Sequence, residues 1–71
     1  MLAQTHERAQ VNAAIAALPV VFREALVLRE IEDMSYEDIA RVLDVPVGTV
    51  MSRLSRARAL LRKSLSHIRP V

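Results

Sequence analysis

The residues best suited to chemistry in this sequence are the cations of its last third. Between Thr49 and Val71 there is no carboxylate, and the cations are Arg53, Arg56, Arg58, Arg62, Lys63 and Arg69. From Met1 to Gly48, four cations stand against eight carboxylates. The formal net charge of +2 therefore combines −4 in the first part with +6 in the second. A small domain that keeps its positive charge on one segment is suited to bind a polyanion, and DNA is the polyanion we expect.

The carboxylates do not form a convincing catalytic or metal-binding pattern. They cluster around the middle of the chain as Glu30, Glu32, Asp33, Glu37 and Asp38. Helix caps, dipole partners and solvated side chains explain this cluster better than a metal site or paired-carboxylate catalysis. There is no cysteine, and therefore no disulfide and no thiolate ligand. We expect no cofactor, no metal, no small-molecule substrate and no enzymatic activity.

Length and composition predict one small domain with a thin core. The 71 residues form a single domain, 1–71, with 1–4 and 66–71 expected as flexible ends. Apolar residues make up 52% of the chain, more than so small a core can hide, so a partly exposed apolar patch is expected. No apolar run approaches the roughly 20 residues that span a bilayer, and no signal peptide is apparent. The sequence predicts a soluble intracellular protein, or a fragment of one, with no membrane partner.

Apolar spacing predicts an all-α fold, because strict alternation typical of strands is absent. Pro19 suits a first helical turn, and Ser35 followed by Asp38 is a capping-box signal. Asp44 is a residue that tolerates a left-handed backbone. The predicted helices are Thr5–Leu18, Val20–Ile31, a short third helix from the Ser35 cap to about Leu43, and a long fourth helix from Pro46 or Val47 to about Leu65.

The third and fourth predicted helices have the dimensions of a helix-turn-helix, whose second helix enters the major groove. Ala40 is the small residue that lets the two backbones approach, and Asp44 supplies the bend. Apolar residues bracket the turn: Ile39, Leu43, Val45, Val50 and Leu54.

At 100° per residue, the fourth helix separates into two faces. The predicted buried stripe is Val47, Val50, Leu54, Ala57, Leu61, Ser64 and Leu65. The opposite side holds Ser52, Ser55, Arg56, Ala59 and Lys63, with Gly48 and Thr49 near its margins. Arg56 can donate two hydrogen bonds to guanine, and small neighbours let the helix approach base edges. Arg53 and Arg58 flank the stripe and are placed, with Thr49, for phosphates.

Residues 17–65, ALPVVFREALVLREIEDMSYEDIARVLDVPVGTVMSRLSRARALLRKSL, closely resemble region 4 of bacterial sigma factors of the extracytoplasmic-function (ECF) group. The most specific pieces are LP before an apolar helix, SYEDIARVL, and PVGTVMSRLSRAR. The resemblance covers most of the chain. The promoter-melting region of such factors is absent, so the chain is expected to be a fragment of one.

The resemblance implies a domain that recognises the −35 promoter element and docks on the flap of the β subunit of core RNA polymerase. The positions that meet bases are Met51, Ser52, Ser55 and Arg56. Those that meet phosphates are Thr49, Arg53 and Arg58, to which we add Ser35, Tyr36 and Lys63. The predicted partner-binding residues are Val21, Phe22, Ala25 and Leu28. Further expectations are an anti-sigma factor as partner and a cytoplasmic, nucleoid-associated location in a bacterium.

The sequence departs from the family pattern at Met51, where Lys or Arg is frequent. Methionine cannot donate a hydrogen bond to a base or a phosphate. The expected consequence is weaker binding or an apolar contact with a thymine methyl group.

Other readings of the same residues stay open. The basic helix is also consistent with a solvated surface, the second helix with core packing alone, and Tyr36 with an inward core position rather than a stacking platform. Two other functions fit the pattern: a module that acts mainly by binding an anti-sigma protein, and the helix-turn-helix effector domain of a response regulator.

Overall fold

The computed structural model of the chain describes the backbone of residues 2–66 and the side chains of residues 7–66. The helices are α1 (Leu2–Ala16), α2 (Val20–Glu30), α3 (Tyr36–Leu43) and α4 (Val47–Ser64). The prediction of an all-α, four-helix fold is confirmed. Of the two expected flexible ends, Met1 and residues 67–71 lie outside the described residues, whereas Leu2 to Gln4 belong to α1.

The turn between α1 and α2 is built around Pro19, the residue immediately before α2. The Pro19 carbonyl accepts the amides of Phe22 and Arg23, both at 3.0 Å. A proline costs little here because an amide at a helix start has no intrahelical partner. Leu18, just before it, is buried and anchors the turn in the core. The second helix therefore begins at Val20, as predicted, with Pro19 as its N-cap residue.

The connection between α2 and α3 bends at Asp33, which has a positive φ of 58°. The Met34 amide donates to the Leu28 carbonyl at 3.1 Å, and the Arg29 guanidinium donates to the Met34 carbonyl at 2.8 Å. The loop is therefore tied back onto α2 by both backbone and side chain. This fixes where α3 begins.

Ser35 caps α3 as predicted, but only half of the capping box forms. The Ser35 hydroxyl oxygen accepts the Asp38 amide at 3.0 Å. The Asp38 carboxylate pairs instead with Arg41, one turn further along α3. Both carboxylates of the first turn, Glu37 and Asp38, suit the positive end of the helix dipole.

The α3–α4 turn is closed by Asp44 in the left-handed conformation, with φ 57° and ψ 50°. The Asp44 amide donates to the Arg41 carbonyl at 3.3 Å and the Val45 amide to the Ala40 carbonyl at 3.0 Å. These two bonds are those of a Schellman motif, which stops a helix abruptly. Pro46 then precedes α4, so the predicted helix-turn-helix is present as α3, a tight turn and α4.

The core lies where α2, α3 and α4 meet, and α2 makes its most extensive contact with α4. Its buried members are all apolar: Leu18, Ala25, Leu26, Ile39, Ala40, Val50, Leu54 and Ala57. Ala40 lies in this cluster, as expected for the small residue at a helix crossing. None of the helices in the described part of the chain has the length and apolarity needed to cross a bilayer.

Candidate nucleic-acid interface on the fourth helix

The inner face of α4 anchors the helix in the core. Val50, Leu54 and Ala57 are buried, and Val47, Leu61 and Leu65 are half-buried. The predicted buried stripe is therefore confirmed except at Ser64, which is exposed. Ser64 is the last residue of the helix, and Ala57 is the last fully buried residue along it, so the final turn extends past the core.

The outer face of α4 is polar and exposed, and most of its side chains are small. Ser52, Ser55, Arg56, Ala59 and Lys63 are all exposed, as the helical spacing predicted. Gly48 is exposed as well, and no atom of the described residues lies within 4 Å of where its Cβ would stand. A surface of small side chains around one arginine lets a helix sink into a groove while Arg56 still reaches a base edge.

Met51 lies at the border of this face, with 52% of its surface exposed. An exposed thioether has no hydrogen to donate, but it presents an apolar tip. The geometry therefore leaves Met51 available for the predicted contact with a methyl group and gives it no polar role.

The predicted phosphate ligands occupy different environments. Thr49 and Arg53 are half-buried along one border of α4, and Lys63 is exposed near its end. Ser35 uses its hydroxyl oxygen for the α3 cap. Tyr36 is half-buried and packs against the core, as its inward reading predicted.

Arg58 differs from the other predicted phosphate ligands because its guanidinium is already bound within the domain. Its Nη2 donates to Oε2 of Glu30 at 2.9 Å, across 28 residues of sequence. The hydrogen bond to Glu30 is the main reason that the pKa of Arg58 is raised above its ordinary value, with smaller support from the Tyr36 hydroxyl. Sequence reasoning missed Glu30, since no short-range spacing signals a pair between the end of α2 and the middle of α4.

The predicted partner-binding residues of α2 do not share one surface. Val21 is 41% exposed, Phe22 and Leu28 are half-buried, and Ala25 has no exposed surface at all. Ala25 therefore supports this side of α2 from within the core and would not itself meet a docked protein unless α2 moved.

An apolar groove runs between α2 and α3. It encloses about 380 Å³ and is lined by Arg23, Glu24, Val27, Leu28, Val42 and Leu43. Val42 is 61% exposed at its rim, an apolar side chain that sequence reasoning did not assign to any surface. Exposed apolar residues grouped around a groove mark a protein-binding surface more often than scattered ones do.

Known proteins with similar sequences identify the family of this chain. Residues 8–61, about three quarters of the chain, match the family described as Sigma-70, region 4. The RNA polymerase sigma-H factor of Pseudomonas aeruginosa is 54% identical over 57 residues, covering 80% of this chain and 30% of that protein. The ECF RNA polymerase sigma factor SigE of Mycolicibacterium smegmatis is 48% identical over 58 residues, covering 82% of this chain and 23% of that protein.

A third relative, the ECF RNA polymerase sigma-E factor of Haemophilus influenzae, is 50% identical over 48 residues, which cover 68% of this chain and 25% of that protein. The chain thus spans less than a third of the length of each of these curated relatives. The matched segment contains α2, α3, the turn at Asp44 and most of α4. The chain belongs to the sigma-70 region 4 family.

Proposed function

We propose that this chain is the promoter-reading domain of an ECF-type sigma factor, binding the −35 element in the major groove during transcription initiation. One observation carries the proposal: the second helix of a helix-turn-helix presents Ser52, Ser55 and Arg56 outward while Val50 and Leu54 hold it in the core. The basic charge of α4 and the relatives named as RNA polymerase sigma factors support it.

The base contacts fall to the exposed residues of the first three turns of α4. Arg56 donates two hydrogen bonds to one guanine, which is the commonest specific contact to a base. Ser52 and Ser55 pair with several bases, and Met51 contacts a thymine methyl group. Because an 18-residue helix is about 27 Å long, only its first few turns lie in the groove.

The phosphate contacts fall to residues at the borders of that face. Thr49, Arg53 and Lys63 approach the backbone from α4, and the α3 start at Ser35 and Tyr36 offers backbone amides with the positive end of a helix dipole. Arg58 is a phosphate ligand only if DNA displaces Glu30.

The apolar groove between α2 and α3, together with Val21 and Phe22, docks the β flap of core RNA polymerase. An anti-sigma factor would compete for exposed surfaces of the same domain. One small module makes few phosphate contacts, so its affinity for DNA alone is weak and falls with salt. Tethering to polymerase in the bacterial cytoplasm raises the effective concentration at the promoter.

Selection of bound duplexes tests the proposal. The chain, fused to the polymerase β flap, is mixed with a random duplex library, and bound sequences are recovered over several rounds. The expected result is a single preferred DNA motif that spans one half-turn of the duplex. The same motif should be recovered when the chain is bound to core polymerase instead of being fused to the flap. Recovery of no preferred sequence would overturn promoter reading and favour a module that acts only by binding protein.

The apolar groove is the observation that favours this second function, in which the domain is mainly gripped by an anti-sigma protein. An interaction module of this kind would keep its partner affinity when Arg56 is changed. A response-regulator effector domain would need no polymerase tether, so it would yield its motif equally strongly when the selection is repeated with the unfused chain.

A further inference from the structure

We propose that Glu30 holds the guanidinium of Arg58 against α2, so that Arg58 fixes the position of the recognition helix instead of neutralising a DNA phosphate. The inference rests on the proposed DNA-binding function, because it concerns α4 in the same complex. It gives Glu30, a carboxylate with no place on the DNA-facing surface, a role in sequence preference.

The direction of the Arg58 side chain is the first support. Arg56 and Arg58 are two residues apart and therefore point about 160° from each other around the helix axis. Arg56 points outward, whereas Arg58 lines a crevice of about 290 Å³ between α1, α2 and α4, beside Leu26 and Leu61. To reach a phosphate, the guanidinium would have to leave both this crevice and the Glu30 carboxylate.

One neighbour of Arg58, Tyr36, is itself held in place by a contact with α2. The guanidinium of Arg29 lies over the Tyr36 ring, 4.9 Å from its centroid, and also donates to the Met34 carbonyl at 2.8 Å. Tyr36 is thereby fixed at the start of α3, near Arg58. We call Arg29, Glu30, Tyr36 and Arg58 the clasp; it connects the end of α2, the start of α3 and the middle of α4.

The clasp is at the surface, so we expect its loss to have little effect on folding stability. The Arg58 and Glu30 side chains are 41% and 54% exposed. Pairs this exposed contribute little to folding stability. Variants of the pair should therefore stay folded, and a change in their DNA binding would report on geometry and charge rather than on unfolding.

The test compares salt dependence with sequence preference. Binding of the chain to a random-sequence 20-base-pair duplex and to its selected duplex is measured by fluorescence anisotropy at several salt concentrations. With Arg58→Ala we expect the slope of log K against log salt to stay at the wild-type value, while the affinity ratio between selected and random duplex falls several-fold. With Glu30→Gln we expect the same loss of preference and a slope steeper by about 0.9, because Arg58 becomes free to neutralise one phosphate.

Glu24→Gln is the matched control, since it removes one carboxylate from the same helix at a position about 120° from Glu30 around the axis, where Glu24 lines the groove between α2 and α3 and not the Arg58 crevice. It should leave both the slope and the preference unchanged. If Arg58→Ala flattens the wild-type slope by about 0.9 and leaves the preference intact, Arg58 is a phosphate ligand and the inference is wrong. It is also wrong if Glu30→Gln behaves like Glu24→Gln.

Arg53→Ala separates this inference from the proposed function. If Arg53→Ala leaves the slope unchanged as well, the DNA-binding assignment of α4 fails. If both Arg53→Ala and Arg58→Ala flatten the slope by a similar amount, α4 binds DNA as proposed and only the clasp fails.

A measurement without DNA completes the test. In NMR, the guanidinium N–H exchange should be slower for Arg58 than for Arg56, and it should accelerate in Glu30→Gln. Equal exchange rates of the two guanidinium groups in the wild-type chain would contradict the clasp.

Discussion

Arg56 is the side chain on α4 whose loss should change sequence preference most. It is exposed among small residues and has the planar fork that matches two acceptors on guanine. Arg56→Ala should weaken binding to the selected duplex by about 5- to 150-fold and relax the preference at one base pair. Repeating the selection with the variant checks this. An unchanged motif would show that Arg56 does not read a base.

Arg53, three residues earlier, should behave differently although it is the same residue type on the same helix. It lies half-buried at the border of the outer face, where the backbone of bound DNA would pass. Arg53→Ala should weaken binding to all duplexes by a similar factor and flatten the salt slope by about one. Anisotropy titrations on selected and random duplexes measure both effects. A loss confined to the selected duplex would move Arg53 to the base-reading set.

Ser35 affects the recognition helix indirectly, through the helix that supports it. Its hydroxyl oxygen accepts the Asp38 amide at the start of α3, a helix of only 8 residues. Ser35→Ala should lower the free energy of unfolding by about 1 kcal/mol, as expected for a lost N-cap. Urea denaturation followed by circular dichroism measures this. Ser35→Asp keeps an acceptor at the cap and should recover most of the stability; failure to do so would mean that the hydroxyl acts in another way.

The helices and turns of this fold could be predicted largely because their signals are local. By residue type, Ser35 predicts the start of a helix and Asp44 predicts a left-handed residue that ends one. Both residues have these roles at the two ends of α3. The two faces of α4 follow from helical periodicity once Val50 is taken as buried. Local signals were weaker at helix ends: α1 begins three residues before Thr5, and α2 ends one residue before Ile31.

Contacts between distant segments could not be predicted, because they depend on how the helices rotate against one another. Glu30 and Arg58 meet only because α2 packs across α4. The same rotation buries Ala25 completely and leaves Val42 exposed, although both occupy apolar positions of their helices. At short range, two partners compete for the Asp38 carboxylate: the backbone amide of Ser35 and the guanidinium of Arg41. The carboxylate pairs with Arg41, so the capping box is not completed.

The molecule as a whole keeps its two candidate surfaces apart. Positive charge and small side chains lie on the outer face of α4, whereas the apolar groove lies between α2 and α3. Among the described side chains, the core between them has eight buried residues, all of them apolar. Because the two surfaces share no residue, DNA binding and protein docking should be separable by substitution.

Val42 offers the test of this separation. It is 61% exposed at the rim of the groove, so removing its apolar surface should not disturb the fold. If the groove docks the β flap, Val42→Gln removes apolar area that docking would bury and should weaken flap binding by roughly 10-fold. Ile31→Gln is the matched control for flap binding, because Ile31 is 67% exposed but lines the crevice between α1, α2 and α4 and not the groove. Calorimetry with the isolated flap should show that only Val42→Gln weakens docking, and anisotropy with the selected duplex should show that Val42→Gln binds DNA like the wild type. Equal losses of flap affinity in the two variants would mean that docking is not centred on the groove. A loss of DNA affinity in Val42→Gln would mean that the two surfaces are coupled.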